Sequence, residues 1–357
     1  MIRWRRGEVR EIRREWPGAL EIEVAVDDGT RCRALAYPPL VGRPEPGDTV
    51  LLNTTALAMG LGTGGYAMVV AIPDRLPQDP SGPGHLVKAR YTPLQATVLG
   101  ADEQDSPHHE ILRDADSLDG MPVVVADLHS ALPAILCGLR LDNPSARVAY
   151  VMLDGGALPA WFSMACAKLR DIGWLTGVVT VGQSFGGDLE AVTTHTGLLA
   201  ARHILGADLT IVAQGPGNLG TGTKWGFSGV SAGEAINAAG VLNGRPVGAL
   251  RVSEGDLRER HIGVSHHSLT AYGRVALTRA DVVVPELAGE FGAKVESQAE
   301  VLGERHTLVK VKIDGLYDAL QASPVGLSTM GRKLDQDLAY FLTSAAAGRH
   351  GAALLGS

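Results

Sequence analysis

The segment MPVVVADLHSALPAILCGLRLDNPSARVAYVMLDGG, residues 121–156, sets two valine-rich runs on either side of a helical pattern. Val123–Ala126 and Val148–Leu153 contain no charged residue, so neither run has a face suited to water and both are expected to lie inside a sheet. Between them, Ser130–Leu139 repeats apolar residues at helical spacing. Strand, helix and strand in that order make a βαβ unit, which requires a parallel pair. The alternation continues downstream. Strands are expected at Val178–Val181, Leu209–Ala213, Val247–Val252, Val282–Val284 and Thr307–Ile313. Helices are expected at about Pro159–Arg170, Leu189–Leu205, Gly233–Val241, Ser268–Arg279 and Leu334–Ala347. The fold class is α/β, a mostly parallel sheet flanked by helices.

Upstream the chain changes character. Arg3–Glu15, Leu20–Asp27, Arg31–Tyr37, Thr49–Asn53 and Tyr66–Ile72 read as short strands, separated by turns such as Trp16-Pro17-Gly18 and Asp27-Asp28-Gly29. Five strands at this spacing point to a small β-barrel-like module of the oligonucleotide-binding or SH3-like kind. Pro80-Ser81-Gly82-Pro83-Gly84 breaks regular structure after it. The expected organisation is a barrel at 1–72, a linker at 73–84 and an α/β domain at 85–357.

Composition narrows the class of function. Hydrophobic residues make up 45% and charged residues 20%, the balance of a folded chain with ample core. The net charge of -7 argues against a chain-wide nucleic-acid surface. The first strand is a local exception, with Arg3, Arg5, Arg6, Arg10, Arg13 and Arg14 outnumbering Glu8, Glu11 and Glu15. The three cysteines, Cys32, Cys137 and Cys166, form no C-x-x-C pair, which argues against a thiolate zinc cluster and a disulfide framework. No apolar run approaches the roughly 18 residues of a membrane span, and no signal peptide is read at Met1, so a cytoplasmic protein is expected. Base rates point to a homo-oligomer, most simply a dimer.

In open α/β sheets, ligands bind beyond the carboxyl ends of the strands. The polar residues of this chain gather there. The first strand leads into Asp127, His129 and Ser130, and the second into Asp154. The third leads into Gln183, Ser184 and Asp188, with Asp188 and Glu190 where a helix is expected to begin. Gly182-Gln183-Ser184-Phe185-Gly186 satisfies G-x-S-x-G, although Gly186-Gly187 delay the helix that a nucleophile elbow needs.

The fourth strand opens a glycine loop that satisfies G-x-G-x-x-G at Gly215, Gly217 and Gly220. No helix can start cleanly through Thr221-Gly222-Thr223-Lys224, and the acid of a dinucleotide site is missing. What remains is a run of backbone N–H groups, with Asn218 and Lys224, able to hold a phosphate or carboxylate. The fifth strand leads to Arg258, Arg260 and His261, then to His266 and His267. These imidazoles, with Asp127, His129, Asp154 or Asp188 nearby, could bind a divalent metal or act as acid and base near neutral pH. The plainer reading has His266 or His267 at a helix start and the arginines paired with surface carboxylates.

Six strings resemble a bacterial family catalogued as a domain of unknown function, number 3866. They are Leu51–Ala56, Leu61–Gly65, Tyr91–Gln95, Gly182–Asp188, Gly220–Thr223 and Arg260–His267. The resemblance covers nearly the whole chain and implies no activity. A fainter similarity, to the precursor subunits of glycine and proline reductases, rests on Tyr91-Thr92-Pro93, His109-Glu110, Gly182–Ser184 and Leu205–Asp208. In those proteins self-cleavage creates a pyruvoyl group; here Ser184 stands near the place of the cysteine that the chemistry needs.

The leading expectation is an enzyme of small-molecule metabolism that binds an anionic substrate at the strand ends, with metal-assisted or His/Asp acid–base chemistry. Two alternatives use other machinery. One is a metabolite sensor that binds without turnover, and the other a nucleic-acid-associated protein that uses the basic barrel.

Overall fold

A computed structural model of the chain describes residues 1–62 and 64–356; Thr63, in the Leu61–Gly65 string, lies outside the described residues. The chain divides into two units, Met1–Val98 and Leu99–Ser357.

In the first unit, β1 (Trp4–Trp16), β2 (Ala19–Val26), β3 (Arg31–Ala36), β4 (Thr49–Asn53) and β5 (Ala67–Ala71) close into a barrel in the order β1-β2-β3-β5-β4. β1 is long enough to pair with both β2 and β4, and bulges after Val9 and Ile12 bend it between the two. Alternate residues Leu20, Ile22 and Val24 fill the interior with Val9, Val50, Leu52 and Val69. Most arginines of β1 are matched by acids: Arg5 by Asp28, Arg10 by Glu8, Arg13 by Glu23 and Arg14 by Glu21. The basic strand is therefore largely neutralised within its own barrel.

The second unit is built on an all-parallel sheet. Its strands are β6 (Pro122–Val125), β7 (Val148–Leu153), β8 (Gly177–Val181), β9 (Leu189–Ala191), β10 (Leu209–Gln214), β11 (Arg245–Ala249), β12 (Asp281–Pro285) and β13 (Thr307–Val311). They lie in the order β9-β8-β7-β10-β6-β11-β12-β13. The valine runs are buried on both sides because successive side chains enter different cores. Val123 and Val125 join one apolar cluster while Val124 and Ala126 join the other.

The helices divide between the same two faces. α1 (Ala131–Asp142), α2 (Met164–Asp171) and α7 (Leu338–Ala353) contribute to one cluster. α3 (Thr194–His203), α4 (Ser231–Val241) and α6 (Gly289–Ala299) contribute to the other. α7 is buried on nearly every side and crosses α1 at glycine contacts. A Cβ at Gly138 would lie 1.9 Å from the Ala345 carbonyl oxygen, and one at Gly348 would lie 1.8 Å from that of Ile135. No helix among the described residues is long and apolar enough to cross a membrane.

The topology fixes where a ligand can enter. β6 and β10 are neighbours in the sheet, yet the chain leaves β6 into α1 on one face and leaves β10 towards α4 on the other. This is a topological switch point, with a crevice between the two departing loops.

Two sequence expectations are corrected. The segment from Leu189 does not begin a helix: Leu189–Ala191 adds an edge strand beside β8, and α3 starts at Thr194, where the Thr193 hydroxyl accepts the Thr196 N–H at 3.2 Å. The helix expected at Ser268–Arg279 is instead a short α-helix, α5 (His266–Thr270), followed by a π turn at Ala271–Val275. α6 was not expected at all. Its run from Gly289 carries three charged residues and few large apolar ones, which leaves a weak helical signal.

Candidate functional site

At the switch point, the end of β10 and the loops after β6 and β11 bring together Gln214, Asp127 and Arg251 with the segment 252–267. Val252–Ser253 pairs antiparallel with Gly263–Val264, and this ribbon carries Asp256, Arg258, Arg260 and His261 between its arms. Ser265 then caps α5, its hydroxyl accepting the His267 N–H at 3.2 Å, so His266 and His267 occupy the first helical turn. The same hydroxyl lies 2.7 Å from Nδ1 of the buried His261.

Three imidazoles thus meet. The ring centroids of His266 and His267 are 4.4 Å apart, those of His261 and His267 4.9 Å, and those of His261 and His266 5.0 Å. One nitrogen from each lies within 4.8 Å of the others. Burial and the nearby arginines Arg251 and Arg258 push His261 down to about 3. Burial, His267 and the arginines, Arg260 among them, push His266 down to about 4. Both rings are neutral at pH 7, the form in which imidazole binds metal.

The base of the cluster is charged. Arg251 is almost fully buried, with Nη1 3.2 Å from His267 Nδ1 and 3.8 Å from Asp127 Oδ2, and Nη2 3.8 Å from Asp256 Oδ2. Asp256 also accepts both Nε and Nη2 of Arg258 at 2.8 Å and faces Arg332 at 3.2 Å, and its carboxyl is held far below the usual range, chiefly by the Arg258 hydrogen bonds. Several buried polar atoms here have no hydrogen-bond partner: Asp127 Oδ2, Gln214 Oε1, Arg251 Nη2 and His266 Nε2. Buried polar groups are nearly always satisfied, so their concentration at one switch point makes this the candidate site.

Two tyrosines hold the strand ends. Tyr272 donates its hydroxyl to the Val125 carbonyl at 2.8 Å and lies 3.1 Å from that of Ala249, just before Asp127 and Arg251. Tyr150 reaches the carbonyls of Ala213 and Gln214 at 3.1 and 2.9 Å.

The glycine loop closes one side. It folds back on itself through a bridge between Gly220 and Phe227, with the Thr221 N–H donating to Gly226 O at 2.8 Å and the Gly226 N–H donating to the Thr223 hydroxyl at 3.1 Å. Its foot, Phe227, stacks flat on His267. Asn218 Oδ1 accepts from Gln214 Nε2 and from the Ser228 hydroxyl, each at 3.0 Å. Gly215, Gly217 and Asn218 line a cavity of about 260 Å³ with His129, Ser130 and Met330. Lys224 is exposed near the tip. Arg260 approaches Gly222, where a Cβ would stand 3.7 Å from its guanidinium.

The remaining sequence candidates are engaged elsewhere. His129 is neutral, pushed down to about 4 by burial, and bridges the Tyr150 hydroxyl at 3.1 Å and the Ser163 hydroxyl at 2.8 Å. Asp154 accepts the backbone N–H groups of Gly156, Ala157 and Gln183 at 3.0, 2.9 and 3.1 Å, which makes it a turn-former. Asp188 accepts the Val178 N–H at 2.8 Å and pairs with Arg170, so it clamps the β8–β9 loop. Ser184 is fully buried and leads to a strand, which removes the strand–turn–helix setting of a nucleophile elbow. Arg258 is occupied by Asp256. Of the anticipated residues, Asp127, His261, His266 and His267 meet directly, and Arg260 with the glycine loop borders them. Sequence reasoning missed Arg251, Asp256, Gln214, Ser265 and Phe227. An arginine inside the otherwise apolar run Val247–Val252 was the signal for Arg251.

A family model described as a protein of unknown function, DUF3866, matches residues 33–348. The chain belongs to that family. Neither a search of curated proteins nor one of solved structures returned a match. The similarity to glycine and proline reductase subunits finds no support in these comparisons. The DUF3866 match spans both the end of the barrel and the whole histidine cluster, so the cluster lies within the part of the chain that defines the family.

Proposed function

We propose that this DUF3866 protein is a small-molecule enzyme whose reaction centre is a divalent metal held by His261, His266 and His267. The observation that carries the reading is the convergence of one nitrogen from each of three imidazoles within 4.8 Å, in a cluster where His266 Nε2 is buried without a hydrogen-bond partner. Nitrogens bound tetrahedrally at about 2.1 Å stand roughly 3.4 Å apart, so loading requires the rings to close by about an ångström. Ser265 beside His261 Nδ1 and Asp127 near His267 Nδ1 supply the oxygen partners that ligating histidines use on their second nitrogen.

Such a centre lowers the pKa of a bound water or polarises a substrate oxygen. Around it, Arg251 and Asp127 fix His267, Ser265 fixes His261, and the loop at 215–227 shelters the site. Arg251 has only N–H groups to give, so at this contact His267 Nδ1 accepts and the ring N–H lies at Nε2. Metal ligation at Nε2 would displace that proton and call for an acceptor at Nδ1, and Asp127 Oδ2, 3.7 Å away and unpartnered, is placed to become it. The cysteine usage fits a reducing, cytoplasmic compartment, and a homodimer is the simplest assembly.

The deciding measurement is elemental analysis of tag-free protein prepared without chelator. About one zinc, manganese, iron, nickel or cobalt per chain is expected, with loss of metal in His261→Ala and His266→Ala. Protein that stays empty after incubation with these ions overturns the reading. A metal-free acid–base enzyme is the second reading, favoured by the Arg251–His267 contact, which makes His267 Nε2–H a donor. Turnover of a ligand that raises the melting temperature separates either enzyme from a sensor.

A further inference from the structure

We propose that the substrate reacts through an oxyanion, a carboxylate or a phosphate, which takes the open position of the metal and is received by the guanidinium of Arg260. The inference rests on the metal-centre reading, and its own grounds lie in the distribution of charge and in the glycine loop.

The arginines that act on the histidines are Arg251, Arg258 and Arg260, and the anions beside them are Asp127 and Asp256; Arg332, which also reaches Asp256, is shared with Asp337. Arg251 lies between the two aspartates, and Arg258 is bound at two points by Asp256. Arg260 is left over. Among the described residues it makes no ion pair or hydrogen bond with the protein, although its charge is felt at His266. Imidazole ligands bring no negative charge to offset a divalent ion, and among the described residues no carboxylate joins the ligand set. Metal and Arg260 together therefore leave an excess of positive charge that an anion must answer. A planar guanidinium suits an oxyanion with two oxygens to share.

The glycine loop makes room for it. Gly222 has φ +78° and stands over Arg260, where a side chain would lie within 3.7 Å of the guanidinium. Phe227, at the foot of the loop, is fixed on His267. The loop thus reaches the guanidinium of Arg260 at Gly222 and the imidazole of His267 at Phe227. Arg260 is exposed, as is Lys224 at the loop tip, but of the two only Arg260 acts electrostatically on His266.

The test uses full-length protein loaded with cobalt(II), whose visible bands report the metal's ligands directly. Inorganic phosphate and acetate are titrated in turn. A saturable change in the bands is expected with at least one of them, and the better ligand names the substrate class. Arg260→Gln should show the same bands before anion is added and bind the anion at least about tenfold more weakly, with Arg260→Lys in between. If cobalt loads but neither anion alters the bands, or if Arg260→Gln binds as the wild type does, the proposal is overturned and the metal centre stands. If cobalt does not load, the metal centre itself fails and the proposal falls with it.

Discussion

The ring of Phe227 lies flat on that of His267, with 3.7 Å between centroids and 3° between planes. The contact joins the foot of the glycine loop to the middle of the histidine cluster, so it sets both the loop's position and the imidazole's orientation. Phe227→Ala should remove that support while leaving all three histidines in place. Metal affinity measured by competition with a chelator should fall by about tenfold, as for other residues that orient ligands. Phe227→Trp, which keeps a stacking face, should retain most of it.

Asp127 and Arg251 have opposite expected signatures. Asp127→Asn keeps the shape but removes the negative charge that His267 Nδ1–H needs once Nε2 is ligated. Metal affinity should drop by about 10–100-fold, with a smaller effect on stability. Arg251→Met leaves the buried Asp127 without its arginine, while Asp256 keeps Arg258 and Arg332. Denaturant titration should show a loss of about 3–5 kcal/mol, the usual result of breaking a buried ion pair from one side.

His129 predicts a pH dependence. Its folded pKa, about 4, lies below the ordinary 6.5. Between those values the unfolded chain binds a proton that the folded one does not. The stabilisation is therefore complete above pH 6.5 and is lost as the pH falls towards 4, with a limiting slope of about 1.4 kcal/mol per pH unit for one proton. His129→Gln should flatten the decline in urea stability between pH 6.5 and 5 by about that slope. An unchanged profile would mean that His129 is already protonated in the fold.

The α1–α7 crossing gives a test of packing alone. At Gly138 and Gly348 an added methyl would fall within 2 Å of carbonyl oxygens on the other helix. Either helix must move for alanine to fit. Gly138→Ala and Gly348→Ala should each destabilise the unit by at least about 2 kcal/mol, against the few tenths gained from better helix propensity. Gly173→Ala serves as the comparison, since a methyl there meets nothing and only the positive φ opposes it.

Much of the architecture could be read in advance because strands buried on both faces leave a blunt signature. Val148–Leu153 and Leu209–Ala213 have no competing interpretation once they recur between helical patterns. The β9 edge strand was illegible for the opposite reason. Leu189–Ala191 is too short for a period to show, and Thr193, the true cap, follows two residues that could equally begin a helix. At the site, chemistry-bearing residues close in sequence were visible, as with His261, His266 and His267. Asp154 and Asp188 looked similar because a carboxylate after a strand reads alike whether it binds a ligand or ties a turn; only their backbone N–H partners separate the cases. Arg251 and Asp127 are 124 positions apart in sequence, and only the order of β6 and β11 in the sheet brings them together.

α7 carries a consequence for how the protein is made. The helix that fills one face of the sheet is the last substantial element of the α/β unit, while its main partner, α1, comes some two hundred residues earlier. A nascent chain emerging from the ribosome must hold α1 and half of the sheet uncovered until Leu338–Ala353 is free. The barrel, with pairings that all close within the first seventy-odd residues, needs no such wait. Synthesis therefore yields a folded leading module attached to a long apolar intermediate, the kind of species for which chaperones compete.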